Sequence, residues 1–279
     1  MTSWRVAALL SALLTLGVLL ASPWLASLSA PEQPVVPPEP VAPAARSSQP
    51  APSVPVDSLE PVARAVVAAT NGERRGKGLR ELRPDPTLAE LAEAHGRDML
   101  ERGYFDHVDP DGVGPGERVA RGHRRLVGAS RENLWWGSGV PQDDAEQLAA
   151  AIVAGWMGSQ GHRENLLHPS LTHLGVGVVA AGGEVHAVQL LADVRGFVAP
   201  AVLDEMKAGA APGWVVSSLA GGRAADRVDL FADGRPRWGP RPLRDLTLDA
   251  PPGQYQLRFY FPAGNRVVIA NGPQLRVLP

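Results

Sequence analysis

The chain of 279 residues contains no cysteine. That single absence excludes disulfides, iron–sulfur ligation, thiolate nucleophiles and cysteine-type zinc sites. Stability must come from apolar burial and hydrogen bonding. Neither sign of charge dominates: 27 basic and 29 acidic residues leave a formal net charge of −2. Such a balance argues against a dedicated nucleic-acid or anionic-lipid surface, while leaving room for a local patch. Also missing are the Gly-x-Ser-x-Gly elbow, the His-Glu-x-x-His helix, the Walker loop and the dinucleotide fingerprint. None of the enzyme classes those motifs mark is indicated.

What is present begins with the compartment. Arg5 supplies the one charge before a charge-free run from Val6 to Ala30, dense in Leu and Ala. A basic start followed by such a run marks export. The run is also long enough to span a bilayer as a helix. Residues 1–30 are therefore read as a signal peptide or a membrane anchor, and the protein as extracytoplasmic. Ser27 and Ser29 suit cleavage, whereas Pro31 disfavours it. From Pro31 to Val56 the chain turns to Pro, Ala, Val and Ser. Dense proline favours an extended spacer of about 3 Å per residue.

Folded structure is expected from Asp57. Leu59, Val62, Val66 and Val67 recur at helical spacing, and Asn71-Gly72 is read as the end of that helix. A second helix follows Asp85-Pro86-Thr87, with Leu88, Leu91, Ala92, His95 and Met99 on one face. Gly103 stops it. A third, charged helix is expected from Pro115 to about Arg125. Asp143 and Asp144 open a fourth, which ends near Trp156-Met157. Two β-like runs, Leu174–Val179 and Glu184–Val194, read as a hairpin across Ala181-Gly182-Gly183.

Four pieces of this stretch stand in order: Gly103-Tyr-Phe-Asp-His107-Val-Asp-Pro-Asp-Gly112, Glu132-Asn-Leu134, Trp156-Met-Gly-Ser-Gln-Gly-His-Arg-Glu-Asn-Leu-Leu167 and Leu174-Gly-Val-Gly177. Together they resemble the CAP superfamily (cysteine-rich secretory proteins, antigen 5, pathogenesis-related 1) in its cysteine-free bacterial branch. The resemblance covers residues 57–198. It implies an α+β fold, an α–β–α sandwich with helices on both faces of a small antiparallel sheet. It also implies a cleft lined by two histidines and two acids, which in some members binds a divalent metal. By motif, His107 and His162 are the histidines and Glu132 the first acid. Ser159 occupies the place of the second acid, which removes one carboxylate from the set.

The chemistry of the trio is consistent with several roles. Two neutral imidazoles suit zinc, which ordinarily takes three or four ligands. A carboxylate can fix an imidazole tautomer or act as a general base. The bland alternative is that these side chains only fix loop geometry by bonding to backbone. Asn133, Trp156, Arg163 and Asn165 support the motif, the polar three by bonding nearby backbone. Trp135, Trp136 and Trp156 are read as core or cleft wall. His95 is given a structural role. His168 and His173 are read as surface turn residues, His123 as part of a solvated basic face, and His186 as half-exposed. Ser159 as a nucleophile is set aside for a cap or turn role.

After a connector over 199–212, with a brief helix expected from Leu203 to Ala211, the tail offers short β-like runs. They are Trp214–Leu219, Arg227–Phe231, Leu246–Leu248, Gln254–Phe261 and Arg266–Ile269. Residues 213–279 are read as a small all-β domain, a sandwich Ig-like in general pattern. The alternative is that its strands extend the CAP sheet.

The functional expectation is a binding module holding a small molecule, lipid or cell-envelope component. A metal-dependent hydrolase of peptide or envelope polymer, with zinc on His107 and His162, is one alternative. A structural or adhesive surface protein using its tail is the other. Membrane contact is expected through the N-terminal segment alone.

Overall fold

The computed structural model describes residues 55–219 and 221–279. The run at 6–30 and the proline-rich stretch up to residue 54 lie outside them. Among the described residues no helix is long and apolar enough to cross a membrane. In chain order the elements are β1 (Asp57–Ser58), α1 (Glu60–Gly76), β2 (Arg83–Pro84), α2 (Pro86–Arg102), α3 (Pro115–Gly122) and β3 (Leu126–Ser138). Then come α4 (Ala145–Gly158), α5 (Gln160–Leu166), β4 (His173–Ala181) and β5 (Glu184–Ala199). The tail holds β6 (Glu205–Lys207), β7 (Val215–Val216), β8 (Arg227–Ala232), β9 (Arg235–Pro242), β10 (Gly253–Ala263) and β11 (Arg266–Leu278).

The helix boundaries follow local chemistry. Asp85 caps α2, accepting the Leu88 amide at 3.0 Å, with Pro86 where its missing donor costs nothing. Gly103 ends the helix in the left-handed region at φ 70°. Asp144 caps α4 in the same way, through the Gln147 amide at 2.9 Å.

Antiparallel strands β4, β5 and β3 form the centre of the first half, with Leu174 opposite Leu191 and Glu132 opposite Leu190. Helices cover both faces. Val62, Val66, Ile152, Val153 and Trp156 of α1 and α4 pack on one side with Leu174, Val178 and Leu191. On the other, Leu88, Ala92, Met99 and Val119 of α2 and α3 meet Leu134, Val188 and Leu190. This is the α–β–α layering. Helix α2 lies so close that a Cβ on Gly175 would overlap the Leu88–Ala89 backbone, and one on Gly177 the Ala92–Glu93 backbone.

The tail is all-β. Strands β11, β10, β8 and β9 lie side by side, and Asn271 of β11 pairs with Gly128 of β3, so the two halves share one sheet. The end of β5 pairs with β7 as a second, short layer. Between the layers lies a core of Trp214, Val216, Leu230, Leu257, Phe259 and Leu275, which Val127 and Val198 of the first half also enter.

Four local expectations are corrected. Helix α1 runs through Asn71-Gly72 to Gly76 because Asn71 turns its amide to Leu82, donating to its carbonyl at 3.0 Å and accepting its amide at 2.8 Å. Helix α3 ends at Gly122, not near Arg125, and β3 starts at Leu126. Residues 205–207 form a parallel strand against the end of β11, not a helix. Residues 246–248 form no strand, whereas 235–242 form β9.

Candidate functional site

Alternation along β3 sends Glu132, Leu134 and Trp136 to the α2 side and Asn133 and Trp135 to the other. His107 arrives from the loop after α2. Three anchors set that loop. His95 of α2 donates from Nε2 to the Asp106 carbonyl at 3.0 Å. Asp109 accepts the amides of Asp111 and Val113 at 2.9 and 2.8 Å. Arg118 of α3 donates to the carbonyls of Val113 and His107 at 2.8 and 3.0 Å.

The loop thereby sets His107 beside Glu132. His107 Nδ1–H donates to Glu132 Oε1 at 2.8 Å, and Arg118 donates to Oε2 at 2.8 Å. The Glu132 side chain is 1 % exposed and that of His107 is 46 % exposed. A buried carboxylate thus has one partner on each oxygen, and an imidazole edge faces solvent.

His162 sits on α5, held to β3 by amides. Asn133 donates to the His162 carbonyl at 3.2 Å and to Gln189 at 3.1 Å. Asn165 donates to the Glu132 carbonyl at 3.2 Å and to Asn133 Oδ1 at 3.1 Å, while Gln189 donates to Thr70 at 2.9 Å. Each amide in this relay uses its oxygen to accept from one neighbour and its nitrogen to serve the next. Arg163 donates to the Met157 carbonyl at 2.7 Å, and buried Trp156 donates to the Leu134 carbonyl at 2.9 Å. Ser159 links α4 to α5, and its side chain caps neither. Glu164 is exposed and accepts from Gln160.

The two imidazoles are driven apart in acidity. Hydrogen bonding to Glu132 raises His107 above the ordinary histidine value. Burial lowers His162, and the charge of His107 lowers it further, so the rings lie within electrostatic reach of each other. His107 is therefore the more readily protonated of the two imidazoles.

Other histidines lie elsewhere than expected. His123 is buried; its Nδ1 accepts the Leu126 amide at 3.1 Å and its Nε2–H faces Asp85 at 3.2 Å. His173 is buried in β4, edge-on to Phe197. His186 is buried too, and Trp136 is exposed and lies outside the core.

Two features were missed in sequence. One is Arg118, in a helix read only as charged. The other is an apolar rim. Among the described residues up to 198, the large apolar side chains left exposed are Phe105 (47 %), Val108 (47 %) and Trp136 (49 %). Phe105 and Val108 flank His107, and Phe105 packs edge-on against His186, whose cross-strand partner is Trp136. Two recesses of about 470 and 430 Å³ lie elsewhere, beside α3, and none of His107, Glu132 and His162 lines either.

Residues 67–191 match the model of the cysteine-rich secretory protein family, CAP. This stretch is a CAP domain. Over 125 residues the chain is 35 % identical to the uncharacterized protein YkwD of Bacillus subtilis (strain 168), covering 45 % of each chain. It is 36 % identical over 115 residues to the uncharacterized membrane protein YlbC of the same organism, covering 41 % of this chain and 31 % of that one. The chain therefore spans less than half the length of the curated relatives it matches. A solved structure described as an extracellular protein containing a SCP domain, from Bacillus anthracis, aligns with TM-score 0.41 and 29 % identity, over 48 % of this chain and 40 % of that one.

The CAP resemblance raises the question of a metal between the histidines. The residues here do not fit a resident ion. Glu132 already spends both oxygens on His107 and a guanidinium, and Ser159, where the resemblance implies a second acid, carries a hydroxyl. Among the described residues no group of three His, Asp or Glu side chains is placed to hold an ion.

Proposed function

We propose that this CAP domain is an extracytoplasmic binding module for an amphiphilic small molecule or lipid, with an acidic head at His107 and an apolar body on Phe105, Val108 and Trp136. The observation that carries the reading is the double engagement of Glu132. With Arg118 on one oxygen, the carboxylate is neutralised before His107 is counted. A protonated His107 then leaves the Glu132–Arg118–His107 trio with one net positive charge at its solvent-facing edge. An anionic head satisfies that charge, and the ring N–H of His162 is a second donor on the same side of the domain. Apolar side chains left exposed beside a charged group are the kind of surface that marks a ligand or partner site. Exposure of the binding surface to the cell exterior follows from reading the N-terminal run as an export segment or anchor.

Calorimetric titration with decanoate and with decanol tests this. Decanoate is expected to bind about tenfold more tightly at mildly acidic pH, the worth of one charge-assisted hydrogen bond. The preference should shrink as His107 deprotonates and vanish in His107→Ala. Trp136→Ala should weaken both ligands alike. Equal binding of acid and alcohol, or binding that requires added zinc, defeats the reading.

A further inference from the structure

The ribbon of β10 and β11 outruns its neighbours. Strand β8 pairs with β10 as far as Tyr260, opposite Arg227. On the other side, β11 touches β3 at Asn271. Three further rungs follow with no lateral strand: Phe261 opposite Val268, Pro262 opposite Val267 and Ala263 opposite Arg266. On this extension Val267, Val268 and Ile269 are consecutive and exposed, at 46, 37 and 49 %. Alternation puts Val268 on one face and the other two on the opposite face. Aliphatic side chains therefore stand in solvent on both sides of a two-stranded tip.

Arginine gathers at the same end. Residues 213–279 contain nine arginines, no lysine, five aspartates and no glutamate, a formal +4 in a chain of −2. The register places Arg227 level with Tyr260 and Pro242, so Arg227, Arg241 and Arg244 cluster at the end from which the tip projects. Asp226, Asp249 and Asp245 pair with those three, whereas Arg266, at the tip, has no ion-pair partner among the described residues.

We infer that the β10–β11 tip is a membrane-contact element that enters the interface of a bilayer bearing anionic headgroups. A protein partner would pair with the β11 edge or cover one face. A bilayer interface accepts both faces together, and its phosphates meet Arg266, the cation of this end that no carboxylate pairs among the described residues. This is a second membrane contact, distinct from the N-terminal run and independent of the ligand at His107.

The absence of cysteine makes the test local. Val268→Cys in the full chain takes an environment-sensitive fluorophore at the tip, and Arg235→Cys takes one at the opposite end of the sheet. Any anchoring by the N-terminal run is common to both, so the readout is the dye and not the amount bound. Vesicles of equal phosphatidylglycerol and phosphatidylcholine are expected to raise and blue-shift emission several-fold at 268, with little change at 235. An acyl-chain quencher should quench 268 selectively, and Arg266→Glu should reduce the response. Circular dichroism melts of each variant establish that it is folded. The inference is overturned if emission at 268 does not change or responds equally to phosphatidylcholine alone. It is also overturned if emission rises with protein concentration without vesicles, which would mark pairing with a second copy.

Discussion

Arg118 and His107 are joined twice: the guanidinium bonds the His107 carbonyl at 3.0 Å, and both side chains converge on Glu132 at 2.8 Å. The arginine therefore both positions the loop and supplies the second partner of the carboxylate that orients the imidazole. Replacing it by methionine strands a buried carboxylate beside one half-exposed partner. A cost of about 3–5 kcal/mol in urea unfolding is expected, as for other broken buried pairs. Arg118→Met with Glu132→Leu should cost less than the sum, since the stranded charge is gone.

The same geometry governs titration. The Arg118 charge opposes protonation of His107, while the Glu132 hydrogen bond favours it more strongly. NMR titration should accordingly find the His107 midpoint lower in Glu132→Gln than in the unaltered chain. An unchanged midpoint in Glu132→Gln would mean the 2.8 Å contact is not formed in solution.

How much of this could be read from the residues depends on where each side chain finds its partner. Helix α2 was legible because Asp85, Pro86 and Gly103 act within a turn of where they stand. The bringing together of His107 and Glu132, 25 residues apart, came only through resemblance, since nothing local joins them. His123 and Asp85 lie 38 residues apart, so a basic cluster looked solvated when one member was buried. Asn71 looked like a helix end because its pull toward Leu82 is tertiary. Strand β9 was missed because Pro236, Pro240 and Pro242 argue against a strand. It tolerates them because it is the sheet's outermost member.

The Leu174-Gly-Val-Gly177 motif acquires a packing reason. Both glycines let the α2 backbone lie directly on β4, with no side chain able to yield. Gly175→Ala or Gly177→Ala should cost about 3 kcal/mol or more, the upper range for overpacking, because rigid backbone must move. Thermal melts would check this, with Gly158→Ala, which meets nothing within 4 Å, as the tolerant control.

Acid should destabilise the fold, and His186 should account for much of it. Burial pushes this imidazole down from 6.5 to about 4, and its Nδ1 has no hydrogen-bond partner. Between those two values the unfolded chain binds a proton that the folded chain refuses. Stability is therefore full above pH 6.5 and falls as pH drops toward 4, by at most about 3 kcal/mol from this group. His95, His162 and His173 are lowered by burial and act in the same direction. His107 is raised and acts oppositely, its contribution being lost as pH rises through its folded value, but its half-exposed ring makes that term small. Leucine at 186 removes both the titration and the unpartnered nitrogen. Urea midpoints at about pH 7.5 and about pH 5 should show His186→Leu no less stable than the parent at the higher pH and clearly less acid-sensitive. A parent-like loss of stability on acidification in that variant would assign the effect to the other buried histidines.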